Sequence, residues 1–570
     1  TTHGNLANSY RLTQNFREAE KHFIKTIDQG IRHFGEDSYL LNHHYLNYGL
    51  LKLNQKKYKQ AKKLIRNSLD ITVNHLGKTN PETSRCYEIL GVLCHQTGKY
   101  DQALQHYQQA IIALSDHFTD TTLKSNPDPG EVVSKSQLVN LLKRKAKTLT
   151  ELRKNKIKNL KTSLSTYEQA LKVIGNLRTG YQSRESKLLL TANERVTFIN
   201  TIETAIELYN LTEDDQFLKK AFRYAEESKA AVLYEAMQVN QALNLGNIPD
   251  SLERKEAQLK KNIWTYEELI FEERKNRHPN ETRLKYWGDK LFQLNRKHEE
   301  LIKKFEETYP KYYSLKYEQS HIKVNTIQNK IKAGEVIIEY VLTKKNIYTF
   351  LIEEDEFRLK TIAIDTSFTD NLLKLRNFLS DRNFSNHSSK DFQKYNTLAY
   401  NLYTKLIEPL NLEANQKLTI IPDDLLAYLP FEILVTEKDK FNQISYNDLA
   451  YLIKKHDIGY SYSAKVLYNT DARKSSARKR LAAFAPTYDN IEDISEYKTR
   501  TRQEYREKLY PLKGIKKEAQ RITRIIKGDT YMDHQATEDT FKDHSGDYDI
   551  LHLAMHTLVN DEEPMYSKMA

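Results

Sequence analysis

The sequence predicts a multidomain protein in which an α-solenoid of helix-turn-helix repeats is followed by a long helical hairpin and a C-terminal α/β domain. Three observations carry this expectation. The first 120 residues repeat with a period of 42, residues 251–312 form a charged amphipathic stretch, and beyond Pro310 the apolar pattern changes to short β-branched runs. At 570 residues the chain is too long for a single hydrophobic core, and length alone suggests roughly three or four domains.

The repeats occupy residues 1–120. Ala7, Gly49 and Gly91 fall in one column, Phe16, Tyr58 and Tyr100 in a second, and Ala19, Ala61 and Ala103 in a third. His33-Phe34-Gly35 and His75-Leu76-Gly77 keep the same offset, with glycine placed to end a helix in the left-handed conformation. A small residue in the first helix of each unit lets the second approach, an aromatic follows the turn, and an alanine keeps the contact tight. Such units stack into a curved surface suited to binding a peptide or a partner protein rather than to catalysis. Residues 121–250 read as degenerate helical repeats after a loop at Asn126–Gly130, because Tyr167–Leu171 and Ala221–Lys229 again space aromatic and alanine for helix packing. In residues 251–312, Leu252, Leu259, Ile263 and Ile270 begin a stripe that reaches Phe305 and is interrupted near His278-Pro279-Asn280. This pattern predicts a long antiparallel hairpin, read as a spacer or brace between solenoid and C-terminal domain.

Residues 313–570 make up the α/β domain. Val336–Val341 and Ile347–Ile352 read as a β-hairpin across the polar turn Lys344-Lys345-Asn346. Further strands are expected at Leu418–Ile421, Ile458–Tyr462, Leu481–Ala485 and Ile550–Met555, with a helix at Ile515–Ile526, so crossover helices should cover the sheet. His556 stands where the apolar run from Ile550 ends, at the carboxyl edge where open α/β sheets place their sites. His552 lies four residues earlier, inside the strand, and reads as a satisfied core histidine.

Composition excludes several classes. The chain is 39% hydrophobic and 29% charged, with a mean hydropathy of -0.72 and no apolar run of bilayer length, which speaks against a membrane span. Thr1-Thr2-His3-Gly4 lacks an initiator methionine and the layout of a signal peptide, so a processed or trimmed start is expected and secretion has no support. Cys86 and Cys94 sit in one helical repeat, where they make neither a disulfide framework nor a zinc site; core cysteines and a reducing cytoplasm are expected. No metal or cofactor is called for. Gly77-Lys78-Thr79 mimics the end of a phosphate-binding loop, yet Thr72 stands in place of its first glycine and no strand precedes it. The net charge of +12 comes from lysines and arginines spread along the chain beside 76 acidic residues, which reads as a solvated surface. Nucleic-acid binding is the alternative use of that charge. The cluster Arg473–Arg480 reads first as an exposed loop and second as an anion or processing site.

Gly49 to Ala61 and Gly91 to Ala103 resemble tetratricopeptide repeats of the long variety found in kinesin light chains. In the C-terminal domain, Ile421–Leu434 is similar to the proline-aspartate turn and Leu-Pro-Phe-Glu helix start of the CHAT family, caspase-like domains associated with such repeats. Tyr451-Leu452-Ile453, Ser461–Ala464, Phe484-Ala485-Pro486, Leu512-Lys513-Gly514 with Glu518-Ala519, and Ala536–Phe541 match further landmarks, and Tyr548–His556 resembles the strand carrying the family's catalytic histidine. The resemblance implies a caspase-like cysteine endopeptidase with His556 as catalytic histidine and the Thr557 backbone N–H as an oxyanion donor, where the family usually has glycine. It implies a protein substrate, a protein or peptide trigger on the repeats, and roles in prokaryotic defence or programmed death on a pore-forming or signalling substrate. The family's cysteine follows the next strand, toward which Glu563–Ala570 leads, so the nucleophile is expected beyond residue 570 and the domain is expected to be C-terminally incomplete and inert over these residues. The alternative is an inactive repeat-plus-pseudoprotease scaffold for assembly.

Overall fold

A computed structural model describes the chain outside residues 1, 182–183, 246–247, 275–279, 318–321, 380–387, 439–443, 469–478, 488–511, 513, 559–567 and 570. Two units are considered separately, Thr1–Tyr468 and Asn469–Ala570.

The first unit opens with three helix pairs, α1 (Thr2–Leu12) with α2 (Phe16–Phe34), α3 (Asn42–Asn54) with α4 (Tyr58–Leu76), and α5 (Pro81–Gln96) with α6 (Tyr100–Ile112). The period of 42 is physical down to the turns. Phe16, Tyr58 and Tyr100 are each the first residue of a second helix, and Gln14, Lys56 and Gly98 before them adopt left-handed φ of 60°, 58° and 71°. Each turn closes with the same backbone bond, Asn15 N–H to Tyr10 O, Lys57 N–H to Lys52 O and Lys99 N–H to Cys94 O at 2.8–2.9 Å, as in a Schellman motif. Ala7, Ala19, Ala61 and Ala103 are wholly buried. A Cβ at Gly49 would lie 2.7 Å from the Ile65 side chain, and one at Gly91 would lie 2.5 Å from the Tyr107 ring.

Five more helices follow: α7 (Lys135–Glu151), α8 (Lys156–Gly180), α9 (Arg184–Thr212), α10 (Asp215–Ser228) and α11 (Ala231–Leu245). Tyr167, Ala170, Ala221, Tyr224 and Ala225 are buried between them, as the aromatic-alanine spacing requires. Then come α12 (Asp250–Arg274) and α13 (Glu281–Thr308), antiparallel because Glu273 meets Arg283 while Leu259 clusters with Leu301 and Phe305, and α14 (Pro310–Tyr317). The hairpin break at His278-Pro279 lies outside the described residues. The hairpin is not a spacer. Its tip returns to the repeats, where Asn80 Nδ2 donates to Arg274 O at 3.0 Å and Lys135 pairs with Glu267 at 2.7 Å. At the hairpin's other end Glu256, almost fully buried, holds Lys260 at 2.6 Å and Lys316 of α14 at 2.9 Å.

After α15 (Val324–Gln328), strands β1 (Glu335–Leu342), β2 (Asn346–Ile352) and β3 (Phe357–Ala363) form an antiparallel meander. Helices α16 (Thr366–Leu379) and α17 (Ser389–Leu406) cross over to β4 (Lys417–Ile421) and β5 (Asp457–Tyr460), which add in parallel to give the order β3-β2-β1-β4-β5. The unit closes with α18 (Ala464–Tyr468). One sheet face packs Val336, Ile338 and Tyr340 against Leu375 and Leu402 of α16 and α17. The other face meets the helical repeats directly: Phe222 of α10 lies 5.7 Å from the rings of both Phe350 and Phe357. Solenoid and sheet therefore share a core, which leaves nothing for a spacer to span.

In the second unit β6 (Lys479–Ala485), β7 (Gly528–Met532) and β8 (Tyr548–Leu553) form a separate parallel sheet of order β7-β6-β8. Helix α19 (Ile515–Ile525) places Ala519 and Ile522 on Leu481 and Ala483; α20 (Glu538–His544) places Phe541 on Phe484 from the opposite face. The central strand is covered on both sides, hence its unbroken run Leu481-Ala482-Ala483-Phe484-Ala485. Two short strands, β9 (Thr557–Leu558) and β10 (Lys568–Met569), pair antiparallel. Residues 473–478 of the basic cluster lie outside the described residues, while Lys479 and Arg480 begin β6. Among the described residues no helix is long and apolar enough to cross a membrane.

Two stability tests follow from this packing. Gly91→Val drives a side chain into Tyr107 and should cost about 1–3 kcal/mol, whereas Lys56→Gly relieves a left-handed residue and should gain up to about 1 kcal/mol; denaturant midpoints of the helical unit check both. Burial works to raise the Glu256 carboxyl, but Lys260 and Lys316 overcome it and hold it at about 2. Because the folded value lies below the unfolded one, this stabilisation is complete above pH ~4.5 and is lost as pH falls through about 2, while burial of Lys316, which lowers its ammonium, offsets part of it. Glu256→Gln should lower the unfolding midpoint at neutral pH and flatten its acid slope.

Candidate active site

Strand β8 delivers the C-terminal histidines. It runs parallel to β6, with Leu481 opposite Ile550, Ala483 opposite His552 and Phe484 opposite Leu553. The alignment continues one residue past the strand, where Ala554 N–H donates to Phe484 O at 2.9 Å. Met555 packs on the cluster of Phe484 and Phe541. His556 then emerges half-buried at the carboxyl end of the sheet, and Thr557, exposed, opens β9 opposite Met569. Parallel sheets offer reacting groups at that end because the strands stop while the backbone is still held by its neighbours.

Among the described residues β8 has a neighbouring strand on one side only, and the His552 ring is half-buried there, with Nε2 3.0 Å from Glu518 Oε1 of α19. The expectation of a satisfied histidine holds, through a carboxylate rather than through packing. The sequence contains two cysteines, both in α5. Burial pushes the Cys86 thiol up to about 11 and raises Cys94 as well, and Cys86 Sγ lies 3.4 Å from Ser68 Oγ. Neither supplies a thiolate at neutral pH.

In the first unit the motif residues of the C-terminal domain meet the helical repeats. Asp423, in the proline-aspartate turn, accepts from Arg195 Nη2 of α9 at 2.7 Å and from Leu342 N–H at 2.8 Å through the same Oδ2. Arg195 also reaches Leu342 O at 3.1 Å and Asp424 at 3.3 Å. Phe431, fully buried, stacks on Tyr340 at 5.5 Å, and its N–H donates to Tyr460 Oη of β5 at 2.7 Å. At the end of α10, the two carboxylate oxygens of Glu226 accept from Ala464 and Lys465 N–H, each at 2.7 Å, and so cap α18. Lys229 Nζ bonds Glu339 Oε1 of β1 at 2.8 Å and Tyr340 O at 2.7 Å. Burial lifts the Glu339 carboxyl well above the usual carboxylate range, and Glu226 adds to the rise while Lys229 opposes it.

Sequence reasoning missed Arg195, Glu226, Lys229 and Glu339, although a signal exists for three of them. Phe222, Ala225, Glu226 and Lys229 follow the i, i+3, i+4, i+7 spacing of one helix face, and Glu339 interrupts a wholly apolar strand. Charges in such places must find each other. Lys229→Met should strand the buried Glu339 and cost about 3–5 kcal/mol, and adding Glu339→Leu should recover most of the loss; thermal unfolding of the single and double variants measures both.

Residues 396–570 match the family model of the CHAT domain, and residues 2–39 and 39–112 match models of tetratricopeptide repeats. Among solved structures, BtubC (BKLC) from P. vanneervenii is 17% identical over 40% of this chain and 78% of its own, with a TM-score of 0.30. A Podosopora anserina putative kinesin light chain with nearly identical TPR-like repeats is 11% identical over 41% of this chain and 95% of its own, with a TM-score of 0.29. No curated protein matches the chain.

Proposed function

We propose, from the match of residues 396–570 to the CHAT domain and of residues 2–112 to tetratricopeptide repeats, that the chain is a caspase-like cysteine endopeptidase acting on a protein substrate under control of its repeats. His556 is the catalytic histidine. Its imidazole takes the proton of a cysteine thiol, the thiolate attacks the scissile carbonyl, and the resulting imidazolium returns the proton to the leaving amine. The Thr557 N–H faces the developing oxyanion, and water then releases the acyl group from sulfur. Neither Cys86 nor Cys94 serves as that thiol, since both are buried in α5 and burial raises both. The observation that supports this reading is the half-buried His556 at the end of β8 with an exposed residue directly after it.

The repeats act as receiver of a protein or peptide trigger in the cytoplasm, in prokaryotic defence or programmed death. Arg195 and Glu226 carry the response, because one holds the turn at Asp423 and the other holds α18, the last element before residue 469. Threonine in place of the family's usual glycine after the histidine favours one other reading, a scaffold that has lost catalysis and keeps only assembly.

In the full-length protein, His556→Ala should lower cleavage by at least on the order of 10³-fold, read as new protein N-termini appearing in a host lysate. Thr557→Gly should keep or raise cleavage. Equal yields of new termini from wild type and His556→Ala would leave the scaffold reading.

A further inference from the structure

The turn between α7 and α8 carries a strongly basic stretch, with Arg153, Lys154, Lys156, Lys158 and Lys161 beside one acid, Glu151. It borders an open cavity of about 870 Å³ on the helical repeats. Lys124, Lys156, Lys158 and Lys161 stand around it, its lining includes no acidic residue, and its apolar wall comes from Ile157 and Leu211. Those two side chains are 41% and 49% exposed, although each sits on a helix with a well-packed opposite face.

Some of the charge is already used. Lys156 pairs with Glu207 at 2.9 Å and donates to Thr150 O at 2.7 Å, while the Lys161 ammonium lies 5.7 Å from the Phe217 ring centre. Lys124 and Lys158 are exposed and make no ion pair among the described residues. Asn155 precedes α8 without a side-chain cap, so the positive end of that helix adds to the same potential. Lys124 and Lys158, with Lys161 beside the exposed carboxylate of Asp214, stand over exposed aliphatic carbon and lower the free energy of a ligand that brings both carboxylates and an aliphatic group.

We propose that this cavity is a docking site for an acidic peptide segment of a partner protein, one that seats a leucine-like side chain on Ile157 and Leu211 and sets its carboxylates on Lys124, Lys158 and Lys161. Charge complementarity selects the acidic segment. The aliphatic wall selects a peptide over a nucleic acid, because the lining includes no aromatic ring or guanidinium on which a base would stack. Binding here is independent of whether the protein cleaves anything.

The test is fluorescence anisotropy of the full chain with a labelled peptide of alternating acidic and leucine residues, set against the same peptide with glycine for leucine and against a short oligothymidylate at equal ionic strength. Saturable binding of the acidic-leucine peptide is expected. It should weaken at least about tenfold with glycine for leucine, with Leu211→Ser, and with Lys158→Glu combined with Lys161→Glu. Far-ultraviolet circular dichroism and the unfolding midpoint of each variant verify that the fold is intact. Failure of the peptide to saturate, affinity unchanged in the charge-reversed protein, or tighter binding of the oligothymidylate overturns the proposal.

Discussion

Burying Glu339 in the middle of β1 removes a carboxyl group from water, and Lys229, reaching in from the end of α10, makes that burial tolerable. An ion pair of this kind adds little net stability compared with a hydrophobic pair of equal size, but breaking it is costly, so its value is positional. It admits one arrangement of helix against strand. Once Lys229 is on Glu339, Glu226 one helical turn earlier comes to the N–H groups of Ala464 and Lys465, and Phe222 comes to Phe350 and Phe357. The apolar contact supplies the driving force, and the charges set the register in which it is made.

The same division of labour runs through the repeats. Burial of Ala61, Ile65, Leu90 and Tyr107 holds neighbouring helices together, yet the spacing between them is set by Gly49 and Gly91, which have no Cβ to interfere. The hairpin of α12 and α13 is held differently. Its exposed faces are charged, and it returns to the repeats through polar contacts such as Asn80 with Arg274 and Lys135 with Glu267. The Lys135–Glu267 pair is partly exposed and salt-sensitive, whereas the hairpin's other end is held by the apolar cluster of Leu259, Leu301, Phe305 and Tyr312. The sheet itself meets the repeats directly through α10.

Much of this was legible because it repeats or alternates. The repeat columns located the second helices to the residue, and the short apolar runs located β1, β2, β4, β5, β6 and β8, since backbone periodicity is written into side-chain polarity. Strand β3 was missed because Arg358 and Lys360 make an edge strand look like a polar loop; β7, Gly528-Asp529-Thr530-Tyr531-Met532, has no apolar run at all. The ties of Arg195, Glu226 and Lys229 join residues more than a hundred positions apart and show only as charges on faces that should be apolar.

For the proposed chemistry, the end of β8 is a demanding position. The backbone bond from Ala554 to Phe484 fixes the chain up to two residues before His556, and the β9–β10 ladder takes hold again at Thr557. The histidine therefore occupies a short span anchored at both ends, and its ring can be aimed without the support of a long loop. That anchoring is what a proton-transferring group needs, since a small misplacement of the imidazole would forfeit most of its effect. The anchoring also bears on Thr557. A β-branched residue is at ease in an extended pair with Met569, although glycine could keep the same backbone pairing. Threonine thus exchanges room at the oxyanion position for rigidity beside the imidazole, and the balance between those two effects decides whether the site is an efficient or a restrained one.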